Sequence, residues 1–216
     1  MQNPRSIREK TVRDAKAGLI LDAALQVFSQ KGFHDARLED IAAAAGFSKA
    51  SLYNYYEDKD AMFLSLAVRE YQRVADRLEK LPVGEGTFEE NIKATLSMIF
   101  SVFGEHFSFL LTLSNFRMMN ILSLGKLEGH HEQRLEDLHQ SFFLVEEHFR
   151  KLVATARDKG ETQSELSDDV LAGFLGSMIR GVLFDWKLKG TMGDAEEETR
   201  RVLVFLKKGM DFAQRS

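Results

Sequence analysis

Between positions 48 and 56 the chain reads Ser-Lys-Ala-Ser-Leu-Tyr-Asn-Tyr-Tyr. Wound as a helix at about 100° per residue, this stretch turns Leu52 and Tyr56 inward. Ala50, Ser51 and Asn54 point outward, with Lys49 and Tyr53 beside them and Tyr55 on the flank. The outer face offers an ammonium, a phenol, a hydroxyl and a carboxamide. These groups pair with phosphates and base edges. Ser48 stands where its side chain can accept a backbone N–H and cap the helix. Upstream, Leu38, Ile41, Ala42 and Ala45 fall at i, i+3, i+4 and i+7, one apolar helical face. Gly46 comes next, a residue that takes positive φ and ends that helix. A small-residue helix, a glycine turn and a second helix with a polar, aromatic outer face form the pattern of a DNA-reading helix-turn-helix.

Other reactive residue types are scattered. The histidines are His34, His106, His130, His131, His139 and His148. None forms the i, i+4 pair with which a helix usually holds a metal, and His131 and His139 are eight apart. The chain has no cysteine, which excludes disulfides and thiolate metal sites. No glycine-rich phosphate loop or nucleophile elbow is present. The expectation is a protein that is not an enzyme, with no catalytic residue, no metal site and no cofactor.

Residues 17–64, AGLILDAALQVFSQKGFHDARLEDIAAAAGFSKASLYNYYEDKDAMFL, closely resemble the N-terminal domain of tetracycline-repressor (TetR) family regulators. The resemblance is carried in order by ILDAAL, F-x-x-K-G-F, L-x-D-I-A-x-x-A-G-F-S-K-x-S-L-Y-x-Y-Y and Lys59. It implies an all-α fold of about nine helices. Residues 1–58 would form a three-helix helix-turn-helix DNA-binding domain, and residues 59–216 a helical effector-binding and dimerisation domain. The implied function is a ligand-responsive transcriptional regulator, a repressor that binds palindromic operator DNA as a dimer and leaves it on binding a small hydrophobic effector. Lys49 and Tyr53, helped by Tyr55 and Lys59, would hold phosphates, and Ser48 would add a contact. Ser51 and Asn54 would lie nearest base edges, with Ala50 small enough to admit the groove. Arg37 stands where the family usually has Thr or Ser. It gives up a capping hydroxyl, leaving Asp35 as the candidate cap, and can reach a phosphate instead. Asn54 replaces an aromatic residue common there, so operator preference should differ.

The net charge of −4 looks wrong for a nucleic-acid binder until its distribution is read. Residues 1–16 hold Arg5, Arg8, Lys10, Arg13 and Lys16 against Glu9 and Asp14, a surplus of three cations (5 − 2). Beside a helix-turn-helix, this end reads as an arm touching phosphates or the minor groove. The acidic excess lies further along. No secretory signal is expected at the N-terminus, and Glu105 interrupts the longest uncharged runs, which are too short to span a bilayer. A cytoplasmic protein with no membrane partner is expected.

Periodicity and breakers set the positioning elements. A first helix is expected over about 14–30, ended by Gly32 with Phe33 folding back. Further helices are expected near 37–45, 49–55, 59–80, 87–103, 106–120, 130–159, 168–189 and 194–213, with Gly104 interrupting the fifth. Leu135, Leu138, Phe142, Val145, Phe149, Leu152 and Ala156 form a heptad seam. The helix over 168–189 is apolar nearly all round, so more than one side must be covered. Its Gly173, Gly176 and Gly181 would admit a close neighbour. The family resemblance makes it pair, with 194–213, against a second subunit as a four-helix bundle.

Thirteen of the 17 phenylalanines lie beyond residue 80, enough to line an apolar cavity as well as a core. The expected wall is Phe103, Phe107, Phe116, Met119, Phe143, Met178 and Trp186, around a hydrophobic or amphipathic effector such as a fatty acyl compound or an aromatic drug. Arg117 and Arg180 are lone charges in apolar runs and are candidates to pair with a ligand carboxylate, Glu105 or Asp185. The alternative function is an all-helical enzyme or lipid carrier without DNA binding.

Overall fold

A computed structural model describes residues 3–105 and 131–208. Among them are eight helices and no strand: α1 (Pro4–Asp35), α2 (Leu38–Ala45), α3 (Lys49–Leu52), α4 (Lys59–Leu78), α5 (Phe88–Glu105), α6 (Glu132–Asp158), α7 (Asp168–Lys189) and α8 (Ala195–Lys208). The helix expected over 106–120 lies outside the described residues, as do Phe107, Phe116, Met119 and Arg117. The chain divides into two compact units. One takes Met1–Glu70 and Leu111–Leu138, the other Tyr71–Leu110 and His139–Ser216. Both α4 and α6 are divided between the units.

The first unit is built on α1 to α3 and the start of α4. Ile20, Ala24, Phe28, Ile41, Leu52 and Phe63 are fully buried. Gly32 takes φ 75° and ψ 169° inside α1, outside helical geometry, and this break turns Phe33 back into the core. Its ring lies 5.7 Å from Phe28 and 5.1 Å from Phe63. α1 begins ten residues earlier than the apolar stripe indicates, so residues 4–16 of the basic arm are helical. The Asn3 side chain accepts from the Arg5 N–H at 3.1 Å, Pro4 occupies the first turn and Arg5 pairs with Glu9 at 3.0 Å. A cap and a proline at the first position start a helix without any apolar face.

The second unit closes around Ile92, Leu96, Phe100, Phe149, Leu152, Leu175, Ile179 and Trp186. The seam on α6 faces this way: Phe149, Leu152 and Ala156 are buried. α5 runs through Gly104 rather than stopping at it. A Cβ on Gly104 would lie 2.6 Å from Met192 Sδ, so the glycine makes room for the turn after α7. α7 has the expected bounds, capped by Ser167 and ended by Gly190 at φ 65°. One of its faces, Ala172, Leu175, Ile179 and Trp186, is buried. The opposite face, Val170, Phe174, Phe184 and Leu188, is exposed.

Candidate nucleic-acid interface

Arg37 is the N-cap residue before α2, with an extended backbone (φ −110°, ψ 151°). The cap comes from Asp40 and not Asp35: its Oδ2 accepts from the Arg37 N–H at 3.2 Å. Lys31 pairs with the same carboxylate at 2.9 Å. The Lys31 hydrogen bond, with the Arg37 N–H second, holds that carboxyl below its usual range. The Arg37 side chain is exposed. α2 ends at Gly46 in the left-handed region, φ 72° and ψ 28°, the conformation for which glycine suits a tight turn.

Ser48 then caps α3, accepting from the Ser51 N–H at 3.1 Å while the two hydroxyls lie 2.8 Å apart. α3 is one α-helical turn, shorter than the 49–55 expected. Tighter bonds close the residues after it: Asn54 N–H to Ser51 O at 3.3 Å and Tyr55 N–H to Leu52 O at 2.9 Å, the i→i+3 pattern of a tightened last turn. Leu52 and Tyr56 are buried. Ser48, Lys49, Ala50, Tyr53 and Asn54 are exposed, and Ser51, Tyr55 and Lys59 half-buried. One polar, aromatic surface thus stands on an apolar footing.

Two of its cations have partners within the protein. Lys49 Nζ lies 2.6 Å from Glu39 Oε1, both side chains exposed. This hydrogen bond lowers the Glu39 pKa and raises that of Lys49. Lys59, expected on a phosphate, instead donates to the carbonyls of Phe33 (2.6 Å), His34 (3.3 Å) and Ala36 (3.0 Å) and sits 4.4 Å from the Phe33 ring centroid. It ties the end of α1 and the α1–α2 turn to the start of α4. Periodicity did not single out Arg13, whose Nη2 donates to Asn54 O at 3.1 Å. Nor did it reveal the Tyr56 hydroxyl, which donates to Ala17 O at 3.2 Å. Burial pushes the Tyr56 phenol up to about 12, so it remains a donor at neutral pH.

Of the described residues expected to wall a cavity, three share one core and Phe143 stands apart. Phe103 and Trp186 are buried in the core of the second unit and Met178 packs against it, with the Phe100 and Trp186 rings 5.5 Å apart. Phe143 is 59% exposed. It borders an open groove with Glu146, Glu147, Arg150, Asp169 and Ala172. The seam explains this: Phe142 holds the buried register and lies 4.2 Å from the Tyr71 ring, and the next residue is turned about 100° away. Arg180 bonds Ser177 Oγ at 2.8 Å on its own helix. Glu105 pairs instead with Arg73 and Arg77, and Asp185 with Lys189. Polar groups are nonetheless buried in this core: Thr95 Oγ1 and His148 Nε2 lie 3.0 Å apart.

The family model for bacterial regulatory proteins of the tetR family matches residues 20–66, the span from the buried stripe of α1 into α4. The uncharacterized HTH-type transcriptional regulator YdgC of Bacillus subtilis is 36% identical over 85 residues, 39% of this chain and 44% of that protein. The HTH-type transcriptional regulator RutR of Escherichia coli is 50% identical over 52 residues, 24% of each chain. The chain therefore matches less than half the length of these relatives. Among solved structures, the transcriptional regulator FadR of Bacillus subtilis, crystallised with stearoyl-CoA, superposes with a TM-score of 0.71 over 89% of this chain and 98% of that one, at 19% identity. Residues 20–66 thus match the tetR family of bacterial regulatory proteins in sequence, and the all-helical architecture is matched by a solved regulator over nearly the whole chain.

Proposed function

We propose that the protein is a cytoplasmic, effector-responsive transcriptional repressor that binds palindromic operator DNA as a homodimer, with no enzymatic activity of its own. One observation carries the DNA-binding part: Lys49, Ala50, Tyr53 and Asn54 are exposed on a turn whose Leu52 and Tyr56 are buried. Groups suited to phosphates and base edges are held on a rigid support, as groove reading requires. Residues 1–58 supply this surface and residues 59–216 the effector site and dimer contact. Among the DNA contacts, Lys49, Tyr53, Tyr55 and Arg37 take phosphates, and Ser48, Ala50, Ser51 and Asn54 lie nearest the groove floor.

The dimer reading rests on α7. Val170, Phe174, Ser177, Gly181, Phe184 and Leu188 recur at alternating steps of four and three, and all six are exposed in the single chain. A Cβ on Gly181 would meet nothing within 4 Å. A stripe of this length with large apolar side chains is the surface a symmetric partner covers. On α8, Val204 and Phe205 are exposed beside it in sequence. A four-helix contact of 168–189 and 194–213 with their copies fits both.

The effector is taken to be small and hydrophobic. A regulator of the same fold was crystallised with stearoyl-CoA, so an acyl chain is the first class to try. It acts by binding the DNA-incompetent arrangement more tightly, since equal affinity for both arrangements shifts nothing. The test is operator binding by the full chain, followed while fatty acids and acyl thioesters are titrated. Release by one of them supports the reading; release by none rejects this effector class and leaves DNA binding to be judged separately.

A further inference from the structure

We propose that Arg13 is a positioning residue for base reading: by holding the Asn54 carbonyl it fixes the end of the recognition turn, and with it the Asn54 side chain. This rests on the reading of α3 as the groove-facing element. α3 is only four residues long, and a helix end leaves its last carbonyls without intrahelical partners. The Asn54 N–H is held within the turn by Ser51 O, and its carbonyl is held from outside the turn. Arg13 Nη2 reaches its carbonyl at 3.1 Å from 41 residues away, and the guanidinium carbon lies 6.0 Å from the Tyr55 ring centroid.

A second tie runs the other way. The Tyr56 hydroxyl donates to the carbonyl of Ala17 at 3.2 Å. Arg13 and Ala17 are four apart on α1 and share one face. A side chain of α1 thus holds the backbone of the recognition turn, and a side chain of that turn holds the backbone of α1. The clasp depends on α1 starting at Pro4, because Arg13 then sits on a formed helix. On a disordered arm, the hydrogen bond would have to offset the entropy of ordering the backbone. A side-chain hydrogen bond fails by about 3.6 Å, so a small drift of the turn is enough to misplace the Asn54 carboxamide. The Tyr55 ring also meets Phe47 edge to face, with centroids 6.2 Å apart.

The competing role for an exposed arginine beside a recognition helix is a phosphate contact, and the two predict different measurements. The full-length protein would be used to enrich duplexes from a randomised library. Affinities for the enriched site and its single-base variants would then be measured across a salt series for wild type, Arg13→Ala, Arg13→Lys, Asn54→Ala and Arg13→Ala/Asn54→Ala. For positioning, Arg13→Ala lowers the discrimination at the base pair read by Asn54 by about tenfold, near the low end of one base contact. In the Asn54→Ala background it lowers it no further. Arg13→Lys keeps the charge without the planar fork, so it preserves the salt slope and still loses discrimination. The thermal unfolding midpoint of the free Arg13→Lys protein stays near wild type. A loss equal for all sequences, with a salt slope lower by about one and restored in Arg13→Lys, overturns the proposal in favour of a phosphate contact. Unchanged discrimination in every Arg13 variant also overturns it. A wild-type protein that enriches no sequence overturns the DNA-binding reading beneath it.

Discussion

At the scale of single residues, the proposed recognition surface carries an exchangeable ion pair. Lys49 is held by Glu39 in the free protein, so DNA must replace one anion by another. Lys49→Ala should weaken binding to all sequences alike and make it less salt-dependent, read from the slope of affinity against salt. Glu39→Gln should do the opposite in affinity, tightening binding to any duplex by freeing the ammonium and removing a charge that repels phosphates. Asn54→Ala should change preference at one base position, seen in binding to single-base variants. The outward set was readable because helical periodicity fixes direction once Leu52 and Tyr56 are placed inside. Lys59 and Arg13 were not, since their acceptors are backbone carbonyls 23 to 41 residues away, and no local pattern records which carbonyl a fold brings near. His148 adds a pH effect. Burial pushes its pKa down to about 4 from 6.5, so the unfolded chain binds the proton more readily. Stability from this group is intact above about 6.5 and is lost as pH falls toward 4, by up to about 3 kcal/mol. Urea unfolding of His148→Gln across that range should show a flatter pH dependence than the parent.

At the scale of elements, most helices announced themselves through caps and breakers. α7 has the expected bounds because Ser167 and Gly190 serve as its termini. The early start of α1 leaves no mark in periodicity because its first turns carry no apolar face, although Asn3 and Pro4 mark it. α3 is shorter than its side-chain pattern indicates, because periodicity does not distinguish an α turn from the tighter bonds at Tyr55. Phe143 was placed in a cavity wall on composition, while the seam through Phe142 and Phe149 turns it outward. The uncovered stripe on α7 makes the strongest prediction at this scale. Phe184→Arg, at a residue 53% exposed in the single chain, should leave the fold intact and yield monomers, because an unpaired charge is costly to bury at a contact. Sedimentation velocity checks it, and Phe205→Arg on α8 should act in the same direction. A tight dimer in either variant removes that residue from the interface.

At the scale of the whole molecule, the proposed function needs two recognition turns presented together and an effector that alters their presentation. Two half-sites one helical turn apart require recognition helices about 34–36 Å apart in the dimer. Coupling of about 1–3 kcal/mol between effector and operator would change operator affinity roughly 5- to 150-fold. Met178 packs against the core of the second unit without being fully buried, so it remains the position at which to test the site. Met178→Trp should lower the response to long-chain fatty acids while leaving operator binding intact, measured by release from DNA during titration. A variant released as readily as the parent would place the site elsewhere. The most direct measurement of the central claim is enrichment of a randomised duplex library by the full-length protein, with affinities then measured on the recovered sites. The expected result is an inverted repeat whose half-site centres lie about one helical turn apart, bound far more tightly than a scrambled duplex at the same salt. Enrichment of no inverted repeat, with affinity that tracks salt but not sequence, would contradict it.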